Sequence, residues 1–295
     1  MKQDPLITMD PMIPYAPAFV APRGAGLINR GATCYFNALV QLLQSCSALN
    51  EVVMQNPDCM PSYQQLVSHA IAGTPQDGDI DQLWRAFMQA IGYRNGLTGG
   101  QQCAGEAFVL LVNTLINSVP NGDVGRVFRH RAVTEIFCDV CDGWRQASVY
   151  TNTLFQIENT ASSPLDFIRH MLECESEIDQ NHVCGVCSTR GPKRRRDKLT
   201  MVPEIIIVLV KKYDNALQVH PTMVVFPQEI SFSHGRMRYV PVAQIEHSGT
   251  LAGGHYWAVC RRRDGWWTLN DTSATPAATG FAPSHNTYIV AYHIV

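Results

Sequence analysis

The sequence predicts an α+β protein, with helices in its first half and a sheet in its second. Three observations carry that reading. Between about residues 34 and 117 apolar residues recur at helical spacing, as in Phe36, Leu39, Val40 and Leu43. From about residue 126 the texture changes to short strand-like runs, many of them separated by Gly, Pro, Asn or Asp. The two patterns follow one another instead of alternating, which argues against a parallel βαβ sheet.

Taken in order, residues 1–23 carry prolines at 5, 11, 14, 17 and 22 without helical or strand period, and read as an extended lead-in. A glycine-rich stretch from Gly26 then leads into a helix opening at Cys34, with Thr33 as its N-cap. Two more helices are expected over 80–91 and 102–117, separated by a glycine-rich turn at 96–100. Strands are expected over 144–151, 153–158, 204–211, 223–232, 237–246, 254–262, 266–269 and 286–293. The basic run Lys193–Arg196 reads as a solvated loop tip, with a nuclear-localisation or nucleic-acid signal as the alternative.

Composition narrows the function. The chain has 295 residues, 46% hydrophobic and 16% charged, enough to bury a sizeable core. A net charge of −2 disfavours a protein built to bind nucleic-acid backbone. No apolar run reaches the ~18–20 residues of a membrane helix, so no membrane partner is expected. The first residues lack the basic and apolar regions of a secretory signal. The ten cysteines therefore read as cytosolic or nuclear thiols, suited to metal ligation or catalysis.

Cys34 stands where a nucleophile benefits, because amide N–H groups and the helix dipole at a helix start favour the thiolate. A cysteine nucleophile needs a histidine base and a group that orients it. His255 follows two glycines at the head of a strand, and Asn270 and Asp271 end the next one. Two adjacent antiparallel strands can bring either of that pair against the imidazole. His247, at the other end of the glycine loop, is the competing base. Cys138 and Cys141, with Cys184 and Cys187, form a CxxC…CxxC set with 42 residues between the pairs, and four thiolates suit tetrahedral Zn²⁺. The alternative is a metal-free set of reduced thiols.

These segments carry a resemblance. GLINRGATCYFNALVQLLQ resembles the cysteine box of the ubiquitin-specific protease family, and HSGTLAGGHYWAV with WWTLNDTS its histidine box. QQCAGEAFVLLVNTL, the two CxxC pairs, VPEIIIVLVKKY and NTYIVAY occur in the family's order, from about Gly26 to Tyr292. The resemblance implies a papain-like catalytic domain over 24–295, with a helical thumb (about 24–125), fingers (about 126–200) and a palm sheet (about 201–295). It implies Cys34 as nucleophile, His255 as general base, Asn270 as the orienting residue with Asp271 sharing that role, and Asn29 as the oxyanion donor. It also implies a structural Zn²⁺ on the four cysteines, no organic cofactor, and ubiquitin or a ubiquitin-like modifier as partner.

The chain departs from the family pattern at Cys103, where an acidic residue is usual, and at Ala107, where an aromatic one is. Glu106 is then left to pair with an arginine of the modifier's tail. Gly253 and Gly254 are expected to let a diglycine tail lie flat, with Tyr256 walling the channel. Lys212 and Tyr213 stand in for a usual Arg-Phe. The leading expectation is a thiol isopeptidase for ubiquitin. The alternatives are a protease for a related modifier, an inactive ubiquitin-binding module, or a zinc-finger adaptor.

Overall fold

The computed structural model describes residues 24–295 apart from 57, 59, 75–76, 91–101, 120–122, 159–174, 179–181, 192, 213–223, 233–236 and 251–252. The lead-in, the turn at 96–100 and Tyr213 lie outside the described residues. Among the described residues six helices come first: α1 (Cys34–Gln44), α2 (Ser47–Gln55), α3 (Pro61–Ala72), α4 (Asp77–Ala90), α5 (Ala104–Ser118) and α6 (Asp123–Phe128). The strands β1 (His130–Cys138), β2 (Gly143–Asn152), β4 (Glu175–Ile178) and β5 (Lys193–Met201) form one sheet, in the order β2-β1-β5-β4.

The larger sheet has eight strands. Seven run in the order β11-β10-β9-β8-β12-β6-β3, from β11 (Ser273–Pro276), β10 (Gly265–Asn270) and β9 (Gly253–Arg262), through β8 (Met237–Thr250) and β12 (Thr287–Ile294), to β6 (Ile205–Lys211) and β3 (Phe155–Glu158). The eighth, β7 (Ile230–Phe232), pairs with β8. Every described pairing in both sheets is antiparallel except β3 on β6, which is parallel. The stretch expected to form the fingers thus lends one strand to the palm.

The helical layer covers one face of the large sheet. Helix α1 is buried along its whole length, beyond the single apolar stripe that its periodicity suggests. Its polar residues Asn37, Gln41 and Gln44 are buried too, so Asn37 and Gln41 must find partners inside the protein. Phe36 stacks on Phe87 of α4 at 5.4 Å and meets Trp84 edge-on at 5.0 Å. Strand β6 is buried at six consecutive positions, Ile205 to Val210, as a strand covered on both faces must be.

The four-stranded sheet is built differently. Its strand β5 is the basic run, so the expected loop tip is a strand in the sheet interior. Cross-strand partners absorb its charge. The Arg196 guanidinium lies 4.0 Å from the Trp144 ring, and its Nε donates to Glu135 at 2.7 Å. Arg194 lies 4.1 Å from the Phe137 ring, and Lys198 is 3.2 Å from the same Glu135 carboxylate. Among the described residues no helix is long and apolar enough to cross a membrane.

Candidate active site

Cys34 opens α1 at the helix N-terminus, where the sequence put it. Thr33 occupies the N-cap position, but its side chain makes no cap bond. Its carbonyl accepts the Phe36 and Asn37 N–H groups, while its hydroxyl donates to Asn29 Oδ1 at 3.0 Å. The preceding turn is tight, with left-handed backbone at Gly31 (φ 87°) and Ala32 (φ 53°). Asn29 Oδ1 also accepts from the Gly31 and Thr33 amides at 2.9 and 3.3 Å. With its oxygen so occupied, the Asn29 carboxamide must turn its NH₂ group the other way.

That NH₂ group donates to Asp271 Oδ2 at 2.9 Å, and Asn37 Nδ2 donates to Asp271 Oδ1 at 2.8 Å. Asp271 has left-handed backbone (φ 49°) in the two-residue turn between β10 and β11. Its carbonyl accepts the Leu27 N–H at 2.7 Å. Gly26 packs so closely on the Asp271 and Thr272 carbonyls that a side chain there has no room. The stretch leading to Cys34 is therefore stitched to the turn that carries Asn270 and Asp271.

His255 lies on β9, and its Nε2 is 2.6 Å from Asn270 Oδ1. Because a carboxamide oxygen only accepts, Nε2 carries the proton and Nδ1 is left with its lone pair. The two candidate orienting residues thus separate: Asn270 contacts the imidazole, and Asp271 holds the Asn29 and Asn37 amides. No hydrogen bond joins the Cys34 thiol to His255 among the described residues.

Cys34 is 4% exposed, and burial pushes its thiol pKa up. The Tyr256 backbone amide and the amides of Tyr35 and Cys34 itself pull it down, while the Asp271 charge pushes it up further. The amides at the helix start thus act towards the thiolate as expected, and desolvation outweighs them. His247, the rival base, is buried against Tyr256 with ring centroids 4.2 Å apart. Burial lowers its pKa to about 4, helped by Lys212 and His255, so it stays neutral at physiological pH.

The expected substrate contacts divide. Glu106 is exposed in the first turn of α5, and Gly253 faces open space. Gly254 instead packs on His247 Nε2 and the Ser248 carbonyl, so its missing side chain serves the protein's own interior. The Tyr256 ring is 6% exposed and lies among His247 and Tyr288, inside the protein and not as an open channel wall. Cys103, at the start of α5, shares a hydrogen bond with the Tyr288 hydroxyl at 2.9 Å. Asn37 has a single signal in the sequence, a polar residue three places after Cys34 on an apolar helix.

At the far end of the small sheet the four predicted cysteines converge. Cys138 and Cys187 have Sγ atoms 3.7 Å apart, Cys141 and Cys184 3.9 Å apart, and all four lie within 4.8 Å of one another. Left-handed residues Asp142 (φ 47°) and Ser188 (φ 58°) close the two knuckles. The Val186 amide donates to Cys184 Sγ at 3.4 Å. This cluster can hold a metal ion. All eight described cysteines are free thiols.

The α+β scaffold thus brings Asn270 to His255 and Asp271 to the asparagine ahead of Cys34. Residues 25–292 match the family model of ubiquitin carboxyl-terminal hydrolase, and the chain belongs to that family. It is 26% identical over 210 residues to ubiquitin carboxyl-terminal hydrolase 4 of Saccharomyces cerevisiae, a match covering 57% of this chain and 22% of that protein. To human ubiquitin carboxyl-terminal hydrolase 17-like protein 17 it is 22% identical over 302 residues, covering 91% of this chain and 56% of that one. The chain thus spans about a fifth and about half of these relatives. The same fold occurs in the SAGA DUB module Ubp8/Sgf11/Sus1/Sgf73 bound to monoubiquitin, with TM-score 0.75 and 19% identity, over 96% of this chain and 71% of that one.

Proposed function

We propose that this chain is a thiol-dependent deubiquitinase that hydrolyses the bond after the C-terminal glycine of ubiquitin. One observation carries the reading: the buried Cys34 thiol at a helix N-terminus lies against the Tyr256 amide, next in the chain to a histidine bonded to Asn270, and the Asn29 amide five residues before Cys34 is anchored by Asp271. Family membership supports the reaction class. The likeness to a SAGA DUB module solved with ubiquitin aldehyde supports ubiquitin as the modifier.

In this mechanism His255 Nδ1 takes the Cys34 proton and the thiolate attacks the glycine carbonyl carbon. The second hydrogen of Asn29 Nδ2 meets the oxyanion, where losing one such donor typically costs on the order of 100–1,000-fold in rate. The imidazolium returns the proton to the leaving lysine amine as the C–N bond breaks, giving a thioester that water cleaves. Asn270 orients the imidazole and Asp271 keeps the Asn29 amide aimed. Glu106 pairs with a basic residue of the ubiquitin tail, and the open face at Gly253 admits the tail's glycines.

Zinc is the ion proposed for Cys138, Cys141, Cys184 and Cys187. Four thiolates about 2.3 Å from a tetrahedral centre are spaced about 3.8 Å apart, close to the separations within both pairs. Bound there, Zn²⁺ supplies a structural crosslink and no chemistry to the reaction. The free thiols fit work in the cytosol or nucleus.

The test is a mass shift on incubation with ubiquitin bearing a C-terminal electrophile, alongside probes built on related modifiers. The expected result is one adduct with ubiquitin, absent in Cys34→Ala. An adduct only with a related modifier moves the substrate. No adduct with any probe, in folded zinc-loaded protein, sinks the enzyme reading in favour of a binding module.

A further inference from the structure

At the last residue of β9, Arg262 is 3% exposed, and among the described residues it has no carboxylate partner. Its neighbours Cys46, Cys260 and Tyr63 are fully buried and neutral at rest. A buried guanidinium without a counter-ion is expensive, so its hydrogen bonds show what compensates it. Nη2 donates to the Gln41 carbonyl at 2.9 Å and to Gln41 Oε1 at 2.5 Å, and Nη1 donates to the Ser45 hydroxyl.

These acceptors form the C-terminal turn of α1. The Ser45 N–H turns to Leu42 O, which leaves Gln41 O to the side chains of Arg262, Ser45 and Cys260. The cation thus sits where the helix dipole is negative. A guanidinium only donates, so it fixes Gln41 with Oε1 inward and NH₂ outward. That NH₂ group donates to Ala25 O at 2.8 Å. Two residues on, Leu27 bonds the Asp271 carbonyl, and four residues on comes Asn29.

The connections reach all three chemical groups. Gln41 lies seven residues after Cys34 on one rigid helix, and Arg262 seven after His255 on one strand. We propose that Arg262 is a positioning residue: it locks the base strand to the nucleophile helix and, through Gln41, to the stretch that aims the Asn29 amide. The proposal rests on the deubiquitinase reading for its reaction and on hydrogen-bond geometry for its structure. Misplacing reacting groups by about 1 Å can cost on the order of 100-fold in rate, so such a frame bears on turnover beyond stability.

Gln41→Glu is the discriminating variant. The carboxylate keeps a partner for Arg262 but cannot donate to Ala25 O. The expected result is an unchanged melting temperature and KM for a ubiquitin fluorogenic substrate, with kcat about tenfold lower or more. The pH profile of Cys34 alkylation by iodoacetamide, read on the Cys34 peptide by mass spectrometry, should shift from that of the wild type, because the Tyr256 amide on the thiol moves with β9. Arg262→Lys keeps the charge without the fork and should lose kcat while melting above Arg262→Met. A folded Gln41→Glu protein with wild-type kcat and a wild-type alkylation profile overturns the proposal, even if the Arg262 variants fail to fold. If the wild type turns over no ubiquitin substrate, a shifted alkylation profile in Gln41→Glu still supports the frame while the substrate reading falls.

Discussion

Leu39, in the middle of α1, has no exposed surface and is surrounded by other apolar side chains, whereas Arg196, in the middle of β5, is held by an indole ring and a carboxylate. The pair typifies two regions. The helices and one face of the eight-stranded sheet share a large apolar core, and a second apolar cluster, joined by Ala132 and Leu199 from the base of the four-stranded sheet, covers the other face of β6 and β12. The four-stranded sheet is described mostly by cation–π contacts, ion pairs and a thiol cluster at its tip. A hydrophobic core ties distant groups into one cooperative unit, and local polar contacts do so weakly. Catalytic groups belong in the first kind of structure, and a surface that must fit a partner can be built from the second.

Metal removal should separate the regions most strongly. Structural zinc supplies on the order of 10–16 kcal/mol in zinc-finger peptides. Chelation, or Cys184→Ser, should therefore abolish amide-exchange protection in β1, β2 and β5 while leaving α1 and β9 protected. KM for ubiquitin should rise with little change in Cys34 alkylation. If both regions lost protection together, the division would be wrong. Next in size, Leu39→Ala should cost about 2–5 kcal/mol in urea unfolding, since it leaves a cavity in the shared core. Its effect should reach helices and palm alike.

Acid gives a smaller and more selective contrast. Burial lowers the pKa of His247 and of His293 to about 4, with nearby positive charge assisting at His247. Their folded pKa lies below the unfolded one near 6.5, so the stability they support is full above pH 6.5 and is lost as pH falls towards 4. Burial pushes the Glu135 pKa up, but hydrogen bonds from Arg196 and Lys198 carry it below the usual 4.5, so its contribution persists until the pH drops below that range. Urea midpoints should therefore fall between about pH 7 and pH 5, and His293→Leu should flatten the fall. Exchange protection in β5 should hold over that interval. Smallest of all, Arg196→Ala should cost about 1 kcal/mol, seen as faster exchange in β2 and β5.

Legibility in the sequence followed the same division. Helices α1, α4 and α5 and strands β6, β8, β9 and β12 carry strong apolar periods or runs, and each was readable within a few residues. Helix α3 was passed over although Pro61 stands at its N-terminus and Gly73 (φ 76°) closes it, because few of its residues are large and apolar. Strand β5 carries no strand signal of its own because its stabilising rings, Phe137 and Trp144, lie on other strands. Pair contacts between distant residues leave no period in either segment. Cys34, His255 and Asn270 were legible through their boxes. The separate task of Asp271 was not, since it depends on Asn29 and Asn37, more than two hundred residues away.

The resting state of Cys34 has a consequence outside the reaction. Peroxides and small disulfides attack thiolates, and the raised pKa stores this sulfur in its neutral form. Little of its surface is open to solvent either. Cys34 is thereby shielded from oxidation at rest, and the exposed Cys187 thiol is the more vulnerable sulfur.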